Sequence, residues 1–331
     1  MQYAPPLAML INPTYFRPNP QAAQDNSFIV QQGDPDALAA QAAQEHHALC
    51  DALDKQRVRT AVLSGTDGSL PSELFLNNWF STHDDAQGKK IAIIYPMRWE
   101  NRRNERRPDI IAALKRHYDE VLDLSAHEAE GKYLEATGSL IFDKKLRRVY
   151  AARSQRTDEA LVKIVADKLG YEPVLFDTMG LGDKPIYHTN VMMYLGTDVA
   201  VVCLDAIAPE QREAVAKKMG EGREVIALTQ GQVNEFAGNG FELANAQGQP
   251  VLAMSDRAYQ SLTQDQLATL EKHYGDRIVH PPFAAIEQGG GSVRCTLAAL
   301  HTDNPSALLR SIAQECGVSE APDVFYKSGG R

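Results

Sequence analysis

Residues 73–97 have the sequence ELFLNNWFSTHDDAQGKKIAIIYPM, and this stretch decides the fold prediction. Two apolar segments flank a polar segment that contains a glycine, which is the pattern of two strands joined by a turn. Residues 107–118, RPDIIAALKRHY, follow with apolar residues at helical spacing. The stretch therefore predicts a β-hairpin followed by a helix.

The same unit recurs along the rest of the chain. Hairpins are predicted at 138–152, 189–204 and 240–255 and a strand at 291–300, with helices at 157–170, 209–219, 263–275 and 304–317. The five units start at Leu74, Ser139, Asn190, Gly240 and Ser292, which are separated by 65, 51, 50 and 52 residues. Units of this size usually pack on their neighbours and close into a ring or an array. We therefore predict one α/β domain over residues 1–331, a five-bladed propeller-like ring with its helices outside. An ordinary open α/β sheet is the alternative.

Composition restricts the class of protein. The chain of 331 residues has a net charge of -9, which argues against a nucleic-acid partner. No apolar run approaches the ~20 residues of a membrane span, and the N-terminus lacks the pattern of a signal peptide. Four cysteines without a CxxC pair favour neither a disulfide framework nor a metal site. The expected location is the cytoplasm, and the five arginines in 98–107 are expected to form a solvated helix start with internal Arg–Glu pairs.

Polar residues stand at or beside the apolar start of several units. They are Asn77 and Asn78, Glu135, His188 and Asn190, and Cys295, which follows the glycines of GGGSVRC (289–295). Each one alone is explained by a core, surface or turn position. Their joint occurrence at equivalent points of a repeat favours one shared pocket.

A thiol, an imidazole and a carboxylate together suit nucleophilic chemistry at a planar carbon. Histidine can help form the thiolate near neutral pH, and a carboxylate can fix the tautomer of the ring or bind a cationic substrate group. The glycine run before Cys295 predicts a mobile loop whose backbone comes close to a ligand. We expect Gly290 and Gly291 to take part in substrate binding.

Several stretches carry a resemblance to a known superfamily: MLINPTYFRPNPQAAQDNSF, FLNNWFSTH, YPMRWENRRNERRPDI, LEATGSL, HTNVMMYLG, EFAGNGFEL, VLAMSDRA and GGGSVRC. With these, nearly the whole chain resembles the guanidino-group-modifying superfamily of arginine deiminases, dimethylarginine hydrolases, amidinotransferases and arginine dihydrolases. Within it, the chain is most similar to the citrulline-utilization hydrolases. The resemblance implies a five-bladed pseudo-symmetric α/β propeller, or pentein. It also implies that Cys295 is the nucleophile, His188 the general acid/base and Glu135 its carboxylate partner, with no metal or organic cofactor.

Two positions depart from the deiminase pattern, because Asn78 and Asn190 stand where deiminases carry aspartates. An amide both donates and accepts hydrogen bonds, so it suits a neutral ureido group better than a buried carboxylate does. The resemblance, read with these amides and Asn77, implies a small-molecule substrate such as citrulline, arginine or a derivative. It also implies a C–N hydrolase that releases ammonia and, from citrulline, ornithine and carbon dioxide. An arginine deiminase or dihydrolase, an amidinotransferase and a non-catalytic binding protein remain alternatives. The sequence leaves homo-oligomerisation open.

Overall fold

The computed structural model describes residues 3–30, 32–66, 68–181 and 185–317. The described strands are β1 (Leu7–Ile11), β2 (Arg59–Leu63), β3 (Phe80–Asp84), β4 (Lys90–Ile94), β5 (Glu120–Asp123), β6 (Ile141–Asp143), β7 (Arg148–Ala152), β8 (Glu172–Phe176), β9 (Met193–Leu195), β10 (Val199–Val202), β11 (Glu224–Ala227), β12 (Phe241–Ala244), β13 (Pro250–Ala253), β14 (Ile278–Val279) and β15 (Ala298–Leu300). They form five sheets of three strands each.

The described α-helices fall mainly between the strands of these sheets. They are α1 (Pro35–Lys55), α2 (Glu100–Arg103), α3 (Pro108–His117), α4 (Ala136–Ser139), α5 (Glu159–Leu169), α6 (Pro209–Met219), α7 (Gln230–Asn234), α8 (Asp256–Gln260), α9 (Gln264–Tyr274), α10 (Ala284–Glu287), α11 (Val293–Thr296) and α12 (Pro305–Cys316). The long helices begin where the sequence supplies a start signal. Proline occupies the first turn of α1, α3, α6 and α12, and Thr263 caps α9 in a capping box with Gln266.

One topology repeats in all five sheets. The first two strands are antiparallel, and the third strand runs parallel to the second, as in β3–β4–β5 and β6–β7–β8. A crossover helix lies between the second and third strands, because a parallel connection needs a dozen or more residues. The predicted hairpin–helix repeat is thus confirmed, and each repeat holds a third strand that the sequence analysis did not predict.

The fifth sheet joins the two ends of the described chain. Strand β15 pairs antiparallel with β1, and β1 pairs parallel with β2. The crossover helix of this sheet is therefore α1, whereas the helix predicted for the fifth unit, α12, packs against α3. The helix predicted at 304–317 is confirmed as α12, but it is not the crossover helix of the fifth sheet, because the N-terminal β1–α1–β2 segment supplies that part.

Apolar packing holds the sheets in place. All five residues of β1 are buried, and so are the last four of β4. Strands covered on both faces carry such continuous apolar runs, because neither face meets water. In the described part of the chain, no helix has both the length and the apolar character needed to cross a membrane.

Short helical turns precede the first strand of most repeats, and the predicted site residues lie on these turns or within three residues before them. These turns are Leu76–Asn78, α4, Thr189–Val191 and α11. The turn at Leu76–Asn78 contacts both α4 and α11, and α4 also contacts the turn at Thr189–Val191. The strand predicted over 291–300 is correct only for its last three residues, which form β15, since Cys295 lies on α11. The fold brings the starts of distant repeats together.

Candidate functional site

Cys295 lies on the helical turn α11 and is 3% exposed. Two asparagine side chains contact its thiol. The Nδ2 groups of Asn190 and Asn239 both lie 3.5 Å from the Cys295 Sγ. Asn239 also donates from Nδ2 to the backbone carbonyl of Asn190 at 2.8 Å, which fixes the two residues relative to each other. The thiol therefore faces neutral amide donors.

His188 and Glu135 form a buried pair. The His188 Nε2 lies 2.8 Å from the Glu135 Oε2, and Glu135 is fully buried. The backbone N–H of Arg98 donates to the other carboxylate oxygen at 3.1 Å. Because a carboxylate accepts the Nε2 proton, the His188 Nδ1 is left as the basic nitrogen.

Two buried arginines surround the same carboxylate. Arg156 donates from Nη1 to Glu135 at 3.2 Å and also binds Asp25. Arg102 makes a buried bidentate ion pair with Glu105, and its Nη1 lies 3.9 Å from the Glu135 Oε2. The Arg102–Glu105 pair confirms an internal Arg–Glu pair in 98–107, but the expected solvation was wrong for Arg102, which points inward because Glu105 neutralises it there.

Burial and the neighbouring charges shift the pKa values of Glu135 and His188. Burial raises the pKa of Glu135, but Arg156, the hydrogen bond with His188 and Arg102 outweigh burial and hold that pKa well below its usual range. Burial lowers the pKa of His188, and Glu135 opposes this only in part. Near neutral pH the pair is therefore an ionised carboxylate beside a neutral imidazole.

Burial also raises the pKa of the Cys295 thiol. The contacts with Asn239 and Asn190, the backbone near Ser292 and the charge of Arg294 act in the opposite direction without cancelling it. In the unliganded protein Cys295 is thus a thiol at neutral pH. Its conversion to thiolate requires a base.

The glycine run is packed closely rather than left free. Gly290 has a φ of 78°, and a side chain there would collide with Asn26 and Ile29. Its carbonyl accepts hydrogen bonds from the Tyr187 hydroxyl at 2.6 Å and from the Asn26 Nδ2 at 3.0 Å. These contacts show why glycine is required here: the backbone approaches other protein groups.

A cavity of about 20 Å³ brings most of the predicted residues together. Its lining includes Asn78, His188, Cys295, Gly290 and Gly291, and also Arg102 and Arg156. One water molecule needs about 10–15 Å³. A ligand of amino-acid size therefore enters only if the lining segments move apart.

Asn77 lies differently from its neighbour. Its Nδ2 donates to the Thr137 hydroxyl at 3.2 Å, and it is not among the described residues that line the cavity. Asn78 faces the cavity near Gly138, where a side chain would lie 2.6 Å from the Asn78 Oδ1 and 2.7 Å from the His188 Nδ1. The Oδ1 atoms of Asn78 and Asn190 have no hydrogen-bond partner. Asn78 therefore keeps an acceptor at the cavity, whereas Asn190 and Glu135 are not among the described residues that line it and reach the site through Cys295 and His188.

Asn239 was missed as an individual site residue. It precedes β12 in the sequence GNGF, at the point of the fourth repeat where Asn78 and Asn190 stand in the first and third. A comparison of equivalent positions across the repeats could have found it. Arg156 was also missed, and a comparison of the repeats would not have found it. Its place in the site depends on ion pairs with Asp25 and Glu135, which join distant parts of the chain.

The described residues contain no cluster of three or more histidine, cysteine or acidic side chains that could hold a metal ion. The groups that the site brings together are a thiol, a histidine–carboxylate pair and amide donors. In principle, this set can attack a carbon and transfer protons.

Comparison with solved structures gives relatives of the fold at low sequence identity. The substrate-bound N-terminal domain of ArgZ, a cyanobacterial arginine dihydrolase of the ornithine–ammonia cycle, superposes with a TM-score of 0.67 at 14% identity, covering 89% of this chain and 98% of that one. A complex of AgrE with ornithine and NAD+ gives 0.68 at 14% identity, covering 89% of this chain but 39% of the other. A dimethylarginine dimethylaminohydrolase, present as an adduct with S-methyl-L-thiocitrulline, gives 0.64 at 17% identity, covering 89% and 100%.

Sequence comparison places the chain within this group. A comparison with curated protein sequences gives no significant match. The profile of the family described as N,N dimethylarginine dimethylhydrolase, eukaryotic, matches residues 12–302. These findings confirm the predicted guanidino-group-modifying superfamily, and the similarity to citrulline-utilization hydrolases stays a prediction. The chain belongs to the N,N dimethylarginine dimethylhydrolase family.

Proposed function

We propose that this protein is a hydrolase that cleaves a C–N bond in the ureido group of citrulline or in the related group of an arginine-like substrate. Family membership supports a C–N hydrolase that acts on guanidino groups. The proposal goes further and assigns a cysteine adduct and a preference for a neutral substrate.

The lining of the site carries the preference. Among the described residues that line the cavity there is no carboxylate, whereas Arg102 and Arg156 are both present. Glu105 and Glu135 are already paired with these arginines, so a guanidinium substrate would find no free anion, and buried unpaired charge is costly. A ureido group is neutral, and amides such as Asn78 and Asn190 can donate to its oxygen and accept from its N–H groups.

The first half-reaction begins with the thiol. His188 takes the Cys295 proton at Nδ1, since Glu135 holds the Nε2 proton. The thiolate attacks the ureido carbon, and the amides of Asn190 and Asn239 stabilise the charge that develops beside the sulfur. His188 then returns the proton to the departing ammonia. The product is an S-carbamoyl adduct in which the carbon keeps its bond to the substrate's side-chain nitrogen.

The second half-reaction uses one water molecule. Neutral His188 accepts a proton from the water, the hydroxide adds to the adduct carbon, and the C–S bond breaks as His188 returns the proton to the Cys295 sulfur. The released carbamate loses carbon dioxide and leaves an amine, which is ornithine when the substrate is citrulline. Glu135 stabilises the imidazolium in both steps through the 2.8 Å hydrogen bond.

The architecture that we propose around this site is one closed ring over residues 1–331. Contacts between neighbouring sheets support it, since β15 contacts β3, β6 contacts β9, and β12 contacts both β9 and β1. The β1–β15 pairing also joins the ends of the described chain in one sheet. A closed ring would explain why the starts of distant repeats share one cavity.

One alternative substrate is an N-methylated arginine, which the name of the matching family favours. Arginine deimination, a full dihydrolase reaction and amidinotransfer use the same nucleophile and differ in substrate or acceptor. One experiment separates them: the purified protein is incubated with citrulline, arginine and N,N-dimethylarginine, each with and without glycine as an amine acceptor. We expect ornithine, ammonia and carbon dioxide from citrulline, with slower or no reaction of the two cations. Citrulline accumulation from either arginine, with citrulline itself left intact, would contradict the proposal.

A further inference from the structure

A second cavity, of about 90 Å³, is lined in part by α11, the helical turn that carries Cys295. Cys295 lines the first cavity, and the preceding residue, Arg294, lines the second. The volume is several times the roughly 10–15 Å³ that one water needs. It therefore has room for a few waters or for a small anion.

Arg294 brings a buried charge to this cavity without an acidic partner. The residue is 6% exposed, and its guanidinium lies over the Phe241 ring, 3.9 Å from the centroid. Its Nη1 donates to the carbonyl of Leu297 at 2.7 Å. In the part of the chain that the structure describes, no carboxylate lies within ion-pair distance of it. Buried charges are normally paired, so this guanidinium lacks its usual counter-ion.

Three further side chains in the lining have unused polar atoms. The Nδ1 atoms of His83 and His301 and the hydroxyl of Tyr194 are buried and have no hydrogen-bond partner. The two imidazoles are nearly parallel, with their centroids 6.1 Å apart. All three groups can donate a hydrogen bond. Unsatisfied buried donors are uncommon in folded proteins, and here they lie around the same space.

The other charged groups of the lining are already paired. Glu242 accepts from the Thr197 backbone at 2.9 Å and from the Tyr274 hydroxyl at 2.8 Å. Arg223 makes a bidentate ion pair with Asp143 at 2.7 and 2.8 Å. The Lys144 ammonium lies 3.3 Å from Asp84. Glu242 is the one carboxylate among the described residues of the lining, and its acceptors are occupied, so Arg294 keeps its excess positive charge.

We propose that this cavity is a binding site for a small oxyanion, held by the Arg294 guanidinium and by donors from His83, His301 and Tyr194. The volume suits an anion of the size of bicarbonate, acetate or phosphate. The site is separate from the one that takes the substrate. Because Arg294 and Cys295 are consecutive on α11, a bound anion would contact the residue next to the proposed nucleophile.

The test measures anion binding to the full-length protein. Sodium bicarbonate, acetate and phosphate are titrated up to about 20 mM by calorimetry, with the melting temperature as a second readout, since a ligand that binds only the folded state stabilises it. Ionic strength is held constant with sodium gluconate, whose anion is too large for the cavity. We expect saturable binding of at least one of the three anions, and the three titrations show which oxyanion is preferred.

Two variants and one control locate the site. Arg294→Gln should weaken binding at least tenfold, because it removes the charge. Tyr194→Phe removes only the hydroxyl and should weaken binding about fivefold, the usual effect of one hydrogen bond. If Arg294→Gln fails to fold, the affinity of Tyr194→Phe alone tests whether the anion binds in this cavity. Arg116→Gln, the same change at an exposed arginine paired with Glu315, should leave the affinity unchanged. Absence of saturable binding by the unaltered protein, or equal affinity in Tyr194→Phe and the unaltered protein, would overturn the proposal.

Discussion

Two buried cysteines in this protein have a histidine in their surroundings, and they differ in almost every other respect. On helix α1 the Cys50 Sγ lies 3.8 Å from the His46 Nδ1, a direct contact between residues one turn apart. At the candidate site, Cys295 contacts Asn190 and Asn239, and His188 lines the same cavity. Judged by thiol–imidazole contact alone, Cys50 is the better candidate.

The surroundings of Cys50 make it inert. Burial raises the pKa of its thiol to about 12, with Asp51 adding to the shift. Burial lowers the pKa of His46 to about 4, and the His46 Nε2 has no hydrogen-bond partner. Both groups therefore stay neutral over the physiological range. Cys50 packs in the apolar cluster that contains Leu49 and Leu53.

Cys295 belongs to the same apolar cluster, but its thiol also contacts polar groups and lines a cavity. Glu135 binds His188 and is itself held by Arg156, so the imidazole has a fixed orientation and a partner for its charged form. Amide groups reach the thiol from two other repeats. Cys295 thus differs from Cys50 in the polar network around it and in the space beside it for a ligand.

The largest expected effect separates the two thiols. Cys295→Ala should lower kcat on citrulline by at least about 10⁴-fold, because removal of a covalent nucleophile abolishes its pathway. Cys50→Ala is the matched control and should keep turnover within about twofold, a range typical of a site remote from the chemistry. Circular dichroism checks that both variants fold. Near-normal turnover by Cys295→Ala would move the nucleophile elsewhere.

The next effect separates the two histidines. His188→Ala should lower kcat/KM about 10²- to 10⁴-fold, the usual contribution of a general acid–base group. His188 acts as a base when neutral, and burial lowers its pKa from 6.5. The kcat/KM of the unaltered protein should therefore stay level as the pH falls to 6.5 and decrease only below it.

The control for this prediction is His46→Leu, which should leave kcat/KM and its pH profile unchanged. The comparison fails if His188→Ala costs less than tenfold while substitution of His83 or His280 costs more. It also fails if the acid limb of the profile lies above pH 6.5.

The repeat was predictable from sequence because its signals are local. Helices α5, α6 and α9 lie within the predicted ranges 157–170, 209–219 and 263–275, since their caps and apolar spacing are visible in short windows. The third strand of each repeat was missed, because β5 or β8 has no hairpin partner next to it in sequence. The pairing of β1 with β15 depends on contacts between residues almost 300 positions apart, which no local pattern carries.

The candidate site was predictable to a different degree. Equivalent positions in the repeats indicated Asn78, His188 and Cys295, and the structure brings all three to one cavity. The inward direction of Arg102 was not predictable, because an arginine-rich segment is normally solvated. The close packing of Gly290 was also missed, since a glycine run does not reveal whether its backbone approaches a ligand or another part of the protein.

A smaller effect tests the amides that distinguish the Cys295 site from an acidic one. Asn78→Asp combined with Asn190→Asp should shift the ratio of kcat/KM values toward arginine at least about tenfold, since a close ion pair in a buried site is worth more than one hydrogen bond. Citrulline should then accumulate as a product. Asn234→Asp with Asn304→Asp adds the same charge at exposed positions and should leave the ratio unchanged. An unaltered ratio in the Asn78/Asn190 variant would show that these amides do not set substrate charge.

The smallest effect is expected in stability, and it belongs to the inert pair. The folded protein holds the pKa of His46 near 4, whereas the unfolded chain has 6.5. As the pH falls below 6.5, His46 becomes protonated in the unfolded state but stays neutral in the folded state. The free energy of unfolding therefore decreases down to about pH 4. At 1.36 kcal/mol per pH unit, this one residue accounts for about 3 kcal/mol of the loss. His46→Leu should remove that part of the pH dependence, measured by urea unfolding at pH 7 and pH 4.

The control is Leu53→Ala, in the apolar cluster that contains Cys50. It should lower stability by similar amounts at both pH values, because it creates a cavity without changing a charge. If His46→Leu keeps the full acid sensitivity of the unaltered protein, His46 is not held neutral by burial. If it loses that sensitivity while turnover is unchanged, the Cys50–His46 pair contributes to the stability of the fold and has no part in turnover.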